Sequence, residues 1–282
     1  MQLLAKNRRF QLCLGVVLVI VAIGVIGLLQ ERGVITVTLD PNKKTGYRYE
    51  PPSSTHVFGC DVFGQDVLAQ LVAGIGNSLM VGFLAGLIGL LIAFAVGGFS
   101  AYIGGLTDET VNTLTNVFLV LPIIPILIIL SASLKERSLY TVAGFIGLIT
   151  WAGAARSLRS QVMSLKERNF VNLARISGKS TTSIIFNEIF PNMLSYVFIS
   201  FCGMFGGAIM AEAGISLIGL GPTTVATLGS MLHWAIATQS IHIGVWWWFV
   251  PPGIVLISFT GALLAMGSVI DDVLNPKLRG VV

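Results

Sequence analysis

The triplet Gly178-Lys179-Ser180 is where residue spacing in this 282-residue chain invites a catalytic reading, because a phosphate-binding loop ends in Gly-Lys-Ser. Such a loop needs another glycine five positions earlier, where backbone amides cradle phosphate, and a buried strand before that. Leu173 occupies the glycine position and no strand pattern precedes it, so nucleotide binding by this route is excluded. Acid–base or nucleophilic chemistry requires titratable groups that converge. His56, His233 and His242 are scattered, and Cys13, Cys60 and Cys202 show neither a paired framework nor metal-ligand spacing. No catalytic, cofactor-binding or metal-binding set is therefore expected in this chain. Glu212 is the acidic residue at the end of an otherwise apolar stretch, and a carboxylate is costly in lipid. It either lines or gates a pathway near the outer boundary, or hydrogen-bonds the turn that follows it.

Composition says where these residues live. Hydrophobic residues make up 54% of the chain and charged residues 11%, with a mean hydropathy of +0.86. That places it among integral membrane proteins. Charge-free stretches run from Phe10 to Gln30, Val67 to Thr107, Thr110 to Leu134, Ser138 to Ala155, Ile189 to Ala211 and Ala213 to Ile270. Each is near or above the roughly 18–20 residues a helix needs to cross a bilayer. In hydrocarbon a segment must satisfy its own backbone, and barrel strands would alternate and be half as long, so the fold class is all-α and polytopic. Six transmembrane helices are expected, over 10–29, 76–104, 111–132, 139–157, 193–212 and 247–269. The last charge-free stretch carries Gly219, Gly221, Pro222, Gly229 and Gly244, so 213–245 leaves the membrane and returns.

Orientation follows the cations. With both ends inside, cytoplasmic segments hold Lys6, Arg8, Arg9, Arg156, Arg159, Lys166, Arg168, Arg175, Lys179, Lys277 and Arg279. The outer side holds Arg32, Lys43, Lys44, Arg48, Lys135 and Arg137, most of them in one longer loop where the rule counts less. The net charge of +4 is thus topological, and no nucleic-acid partner is expected. Lys6, Arg8 and Arg9 before an apolar run resemble a signal peptide, but the run is long and no small-x-small site precedes Gln30-Glu31-Arg32, so an uncleaved first span is expected. The chain then divides into 1–30 (N-terminus and first span), 31–72 (external loop), 73–270 (five-helix core) and 271–282 (cytoplasmic tail). The core includes a cytoplasmic segment, 160–191, and an external one, 213–245.

Smaller features suggest how the spans pack. In the second span small residues recur as Ser78, Gly82, Gly86, then Gly89, Ala93, Gly97 and Ala101, a stripe for close helix approach. It serves contacts inside one subunit or contacts with a second one. Pro122 and Pro125 each remove an amide donor and bend the third span, as a gating kink or a tolerated irregularity. Val62, Phe63, Val67, Leu68 and Leu71 recur at helical spacing and predict a surface-lying amphipathic helix before the second span. Trp246, Trp247 and Trp248 read as an interfacial aromatic anchor.

The polar, basic segment from Phe170 to Asn192 lies between apolar stretches, which marks it as a cytoplasmic platform. A helix ending near Ser177, left-handed Gly178 and a second helix begun by Ser180 or Thr181 would make a rigid helix-turn-helix. Val171, Leu173, Ile176, Ile184 and Ile185 are apolar enough to need cover.

This segment resembles the cytoplasmic loop of ABC importer permeases, which carry Glu-Ala-Ala, three residues, Gly, nine residues, then Ile-x-Leu-Pro before the penultimate span. Ala174, Gly178 and Pro191 match in register, while Asn172, Leu173, Glu188 and Phe190 depart from it. Gly59-Cys60-Asp61-Val62-Phe63-Gly64-Gln65-Asp66-Val67-Leu68 is similar to the Gly-Thr-Asp-x-x-Gly-Arg-Asp-Val-Leu of C-type permease subunits of dipeptide and oligopeptide importers. Residues Ala211 to Gly221 resemble their Ala-Glu-x-x-Leu-Ser-Phe-Leu-Gly-Leu-Gly, and Asp272 to Arg279 their Asp-Ala-Leu-Asp-Pro-Arg-Leu-Arg. The resemblance implies a type I ABC importer permease in a prokaryotic inner or plasma membrane. Its partners would be a second, B-type permease subunit, two ATPase subunits that bind ATP and magnesium, and an external substrate-binding protein. It implies coupling to the ATPases through Asn172, Leu173, Ala174, Arg175, Gly178 and Pro191, and an external motif with Asp61, Gly64 and Asp66. Peptides are the commonest cargo such a resemblance implies, with oligosaccharides and nickel chelates as alternatives. A secondary transporter is the rival from another class and would need paired polar groups in mid-span.

Overall fold

The computed structural model describes residues 7–274, and among these every regular element is helical; two isolated antiparallel bridges join Lys44 to Gln65 and Cys60 to Asp66. The elements are α1 (Arg8–Glu31), α2 (Val67–Ala93), a π-helical turn (Phe94–Gly98), α3 (Phe99–Ile103), α4 (Gly105–Val120), α5 (Ile123–Ala132) and α6 (Leu139–Lys166). They continue as α7 (Asn169–Ile176), α8 (Thr181–Ile184), a second π-helical turn (Ile185–Ile189), α9 (Phe190–Leu217), α10 (Leu228–Ala237) and α11 (Trp246–Leu274). The segments Arg8–Glu31, Val67–Ile103, Leu139–Lys166, Thr181–Leu217 and Trp246–Asp272 are each long and apolar enough to cross a membrane. Counting α4 with α5 as one broken span brings the total to six. Lys6 and the Asn275 to Arg279 part of the closing resemblance lie outside the described residues, as do Lys277 and most of the 271–282 tail.

α2 is the axis of the bundle. It packs on α1, α6 and α9, while α11 closes against α1, α9 and α10. The small-residue stripe of α2 faces these neighbours within the same chain. A side-chain carbon at Gly82 would stand 2.4 Å from Ile209, one at Gly89 2.3 Å from Met204, and one at Gly97 2.3 Å from the carbonyl of Ala155. On the opposite side, a carbon at Gly27 of α1 would meet Val72 O at 2.2 Å. These contacts settle the open alternative for the stripe in favour of packing inside one subunit.

The third span is broken rather than bent. Its two halves meet at 78° because Leu121, preceding Pro122, is pushed into an extended conformation (φ −65°, ψ 133°). Pro125 sits in the first turn of α5, where a missing amide costs no helical bond. The pair also begins earlier than expected, at Gly105, after two left-handed glycines, Gly104 (φ 75°) and Gly105 (φ 61°).

Two further expectations are corrected. No separate amphipathic helix lies on the surface before the second span: α2 starts at Val67, and Val67 and Leu71 belong to the same core cluster as Leu228 and Trp248. The helical spacing is real, but its apolar face meets protein rather than lipid. The tryptophans are not a uniform anchor either. Trp246 is exposed, Trp247 donates its indole N–H to Cys60 O at 3.3 Å, and Trp248 is buried. α9 runs on to Leu217, past the start of the 213–245 segment; between it and α11 the helix present is α10, with 10 residues and about 15 Å of rise, too little to cross.

Arg159 of α6 clasps Asp108 of α4 with two parallel hydrogen bonds, Nε to Oδ1 and Nη2 to Oδ2, both 2.7 Å. Replacing Asp108 with Ala leaves the mostly covered guanidinium without its carboxylate and should destabilise the bundle by about 1–3 kcal/mol. Thermal unfolding of the detergent-solubilised protein reads this directly; an unchanged melting temperature would show that the pair contributes nothing.

Candidate functional site

α7 stops because Gly178 takes the left-handed conformation, φ 75°. Gly178 N–H then donates to Arg175 O at 3.1 Å and Lys179 N–H to Ala174 O at 3.2 Å, the paired bonds of a Schellman motif. Two residues later Ser180 accepts from Ser183 N–H at 3.3 Å and starts α8. The two helices are thus locked at a turn with no free loop between them.

That turn is seated from beneath. Val171 and Ala174 of α7, Ile184 of α8 and Ile189 of the second π turn form one cluster with Leu158 and Val162 of α6. Ala174 is therefore a seating residue. The opposite side of α7 is bare: Leu173 is 65% exposed and Ile176 84% exposed, against the expectation that both are covered within the chain. Asn172 is half-buried and accepts from Arg175 Nη1 at 3.4 Å, while the Arg175 guanidinium lies 5.9 Å from the ring centre of Tyr102. Glu188, one of the departures from the permease pattern, pairs with Lys179 across the turn. Pro191 lacks the N–H that a helix would use here, and the chain runs through a π turn just before it; Asn192 Nδ2 donates to Glu188 O at 2.7 Å.

A connection not anticipated from the sequence runs from this segment into α2. Phe94, at the start of the first π turn, meets Phe190 edge to face at 5.2 Å and lies 6.2 Å from Phe186, and Phe99 lies 5.7 Å from Phe186. The two π turns therefore meet through aromatic rings. Pro191 within an apolar run was the available signal for one of them; Phe94–Gly98 holds no proline and left none. Lys166 Nζ adds a bond to Ala101 O at 3.0 Å.

At the other end of α2, Asp61 and Asp66 organise the loop that leads into the helix. Asp61 Oδ1 accepts from Phe63 N–H and Gln65 N–H, both at 2.8 Å, and Oδ2 accepts from Gln70 Nε2 at 2.7 Å. Burial nonetheless holds the Asp61 carboxyl above its ordinary range, against these bonds. Gly64 is left-handed (φ 77°), and a side chain there would stand 2.5 Å from Gly46 O. Asp66 caps α2 through Ala69 N–H at 2.8 Å and takes His56 Nδ1 at 2.8 Å on its other oxygen. The Asp61, Gly64 and Asp66 motif thus builds the start of α2.

Glu212 settles on the hydrogen-bonding reading. Its side chain is 0% exposed, with Ser216 Oγ donating at 2.6 Å, Thr227 Oγ1 at 2.8 Å and Ser78 Oγ at 3.3 Å. Ser78 Oγ in turn accepts from Leu228 N–H at 3.0 Å. One carboxylate therefore joins α9, α2 and the entry to α10.

A groove of about 660 Å³ opens along α5, α6 and α9, lined by residues such as Ile124, Gly153, Ser157, Ser200, Gly203 and Gly207. Side chains built on Gly153, Gly203 or Gly207 would meet nothing within 4 Å, so this small-residue face is left uncovered by the chain's own helices.

Residues 85–280, which include this groove and the α7–α8 turn, match the family model of the binding-protein-dependent transport system inner membrane component. The chain belongs to that family. It is similar to the oligopeptide transport system permease protein OppC of Bacillus subtilis, 30% identical over 82% of this chain and 74% of that protein. It is 32% identical to the Mycobacterium tuberculosis protein of the same name over 82% of this chain and 79% of that one. The dipeptide transport system permease protein DppC of Bacillus subtilis matches at 31% over 98% of this chain and 84% of its own length. As an inner membrane transport component, the chain is a multi-pass membrane protein.

Glu212→Ala leaves the hydroxyls of Ser216, Thr227 and Ser78 without their shared acceptor and should lower stability by about 3 kcal/mol or more, whereas Glu212→Gln keeps an acceptor and should cost less than half of that. Melting curves in detergent distinguish the two; equal, small losses would show that the carboxylate is not a staple.

Proposed function

We propose that this chain forms one half of the translocation pathway of an ATP-driven importer for dipeptides or oligopeptides, with both termini cytoplasmic. The cargo class comes from the named functions of its relatives. The observation that supports the mechanism best is the α7–α8 turn: a rigid corner whose back is buried in the bundle while Leu173 and Ile176 project uncovered from its front. An apolar pair held out by a capped, basic-flanked helix is what a docking partner buries.

In this reading the partner is a pair of cytoplasmic ATPases that bind ATP and magnesium and supply all the hydrolysis; this chain is not itself an enzyme. Closure of the ATPases pushes on α7. The push passes through Val171, Ala174 and Ile184 to α6, and through Phe186 and Phe190 to Phe94 of the first π turn, which continues α2. A second, B-type permease subunit covers the small-residue groove on α5, α6 and α9, and the two halves rock between inward and outward opening, a two-state equilibrium biased by nucleotide and by substrate delivery. The substrate arrives from an external binding protein, which carries most of the selectivity, because glycine, alanine and serine along the groove offer few specific contacts. The break at Leu121-Pro122 and the two π turns are the points where the helices yield.

Gly178→Leu forces a branched side chain into a left-handed position at a cost of about 1–2 kcal/mol. The variant should still insert in the membrane, yet lose substrate-stimulated ATP hydrolysis in the reconstituted complex; unimpaired stimulation would contradict coupling through this turn. Leu173→Asp combined with Ile176→Asp places charge on the exposed face without touching the buried one. The ATPases should then no longer co-purify with the membrane subunits, and retention at wild-type level would mean that they dock elsewhere.

A further inference from the structure

Sequence spacing offers no metal signature, yet the loop between α1 and α2 folds three different donor types onto one point. A carboxylate oxygen of Glu50, a ring nitrogen of His56 and the sulfur of Cys60 all lie within 4.8 Å of one another. The backbone enforces the approach: Cys60 N–H donates to Glu50 O at 2.8 Å and Gly59 N–H to His56 O at 2.8 Å. His56 and Cys60 are buried and Glu50 is half-buried, so the cluster is closed on the protein side and reachable from the side of Glu50.

Two observations make this more than a chance meeting of side chains. His56 binds Asp66 Oδ2 through Nδ1 at 2.8 Å, and Asp66 is itself held as the cap of α2. A carboxylate on one ring nitrogen sets the proton there and leaves Nε2 as a lone-pair donor, the arrangement that orients metal-ligating histidines. Nε2 is also the nitrogen that faces the cluster. A carbon built on Gly46 would lie 2.5 Å from Cys60 Sγ, 2.5 Å from Glu50 Oε2 and 3.0 Å from His56 Nε2. The donors thus surround a space beside Gly46 that any other residue would fill with its own side chain.

We infer that Glu50, His56 and Cys60 form a binding site for a divalent ion of the zinc type, with Asp66 as the positioning residue behind His56. A mixed sulfur, nitrogen and oxygen set suits zinc, which leaves a fourth position to water. Zinc holds such donors at about 2.0–2.3 Å, so donors up to 4.8 Å apart must draw together by about 1 Å. On binding, the Cys60 S–H bond breaks, its proton passes to solvent and the sulfur bonds the ion. The ion cross-links the loop to the first turn of α2 through His56 and Asp66, and to α11 through the Trp247 bond to Cys60 O. The site is independent of the proposed transport mechanism.

Cobalt(II) titrated into the purified full chain in detergent is the probe. The expected result is one ion per chain with a thiolate-to-cobalt charge-transfer band, removed by Cys60→Ser and kept by Cys202→Ser. Glu50→Gln preserves the size of the half-buried side chain and the acceptor for Tyr47 N–H, so the variant folds and should bind cobalt at least about 10-fold more weakly. No band in the natural protein, or a band that survives Cys60→Ser, overturns the inference. If Cys60→Ser does not yield folded protein, Glu50→Gln decides: undiminished cobalt affinity there overturns it, and the weakened affinity supports it.

Discussion

Helices in lipid gain little by hiding apolar side chains from one another's surroundings, so what holds this bundle is the distance of approach that glycine and alanine permit. α2 is the clearest case. Gly82, Gly89 and Gly97 let Ile209, Met204 and the Ala155 carbonyl come so near that a methyl group at any of them would collide. Gly27 and Gly76 do the same where α1 crosses α2. Remove that seam and α2 no longer has a fixed position, and with it go the reference points for α6 and α9, which carry the groove and the turn. The contrast with Gly153 of α6 and Gly203 and Gly207 of α9 is informative: the same residue type, with nothing against it. One set is spent on the fold; the other stays open.

Polar groups follow a stricter rule, because an unpaired one in hydrocarbon costs several kcal/mol. Three charged clusters here join elements that packing alone would leave free to slide. Glu212 ties α9 to α2 and α10, Asp108 with Arg159 ties α4 to α6, and Asp61 with Asp66 fixes where α2 begins. Their placement at the ends of the bundle leaves the middle of the groove to small and apolar residues.

Between those ends the regular helices are interrupted at defined places. The break before Pro122 and the two π turns interrupt helices that would otherwise transmit only rigid-body motion. That both π turns meet through Phe94, Phe186 and Phe190 puts two compliant points in contact beside the capped corner at Gly178. Force applied to Leu173 and Ile176 would thus reach α2 and α6 together.

Much of this was written in the residue order. Hydropathy set the all-helical class and the number of spans, since backbone satisfaction in lipid permits few alternatives. Ser177, Gly178 and Ser180 announced the corner, because a left-handed glycine followed by an N-cap is local chemistry that needs no tertiary context. Pro122 announced a bend. What depended on distant contacts was not legible. The spacing of Val67 and Leu71 could not say whether their face meets lipid or Trp248, the α2 stripe could not say which helix it meets, and Glu212 could not say whether it faces a pathway or three hydroxyls. Glu50, His56 and Cys60 show the same limit, since nothing in a spacing of six and four residues reports that a loop turns them inward onto Gly46. Periodicity and capping are properties of neighbours along the chain; which surface a residue meets is decided only when helices far apart in sequence come to rest against each other.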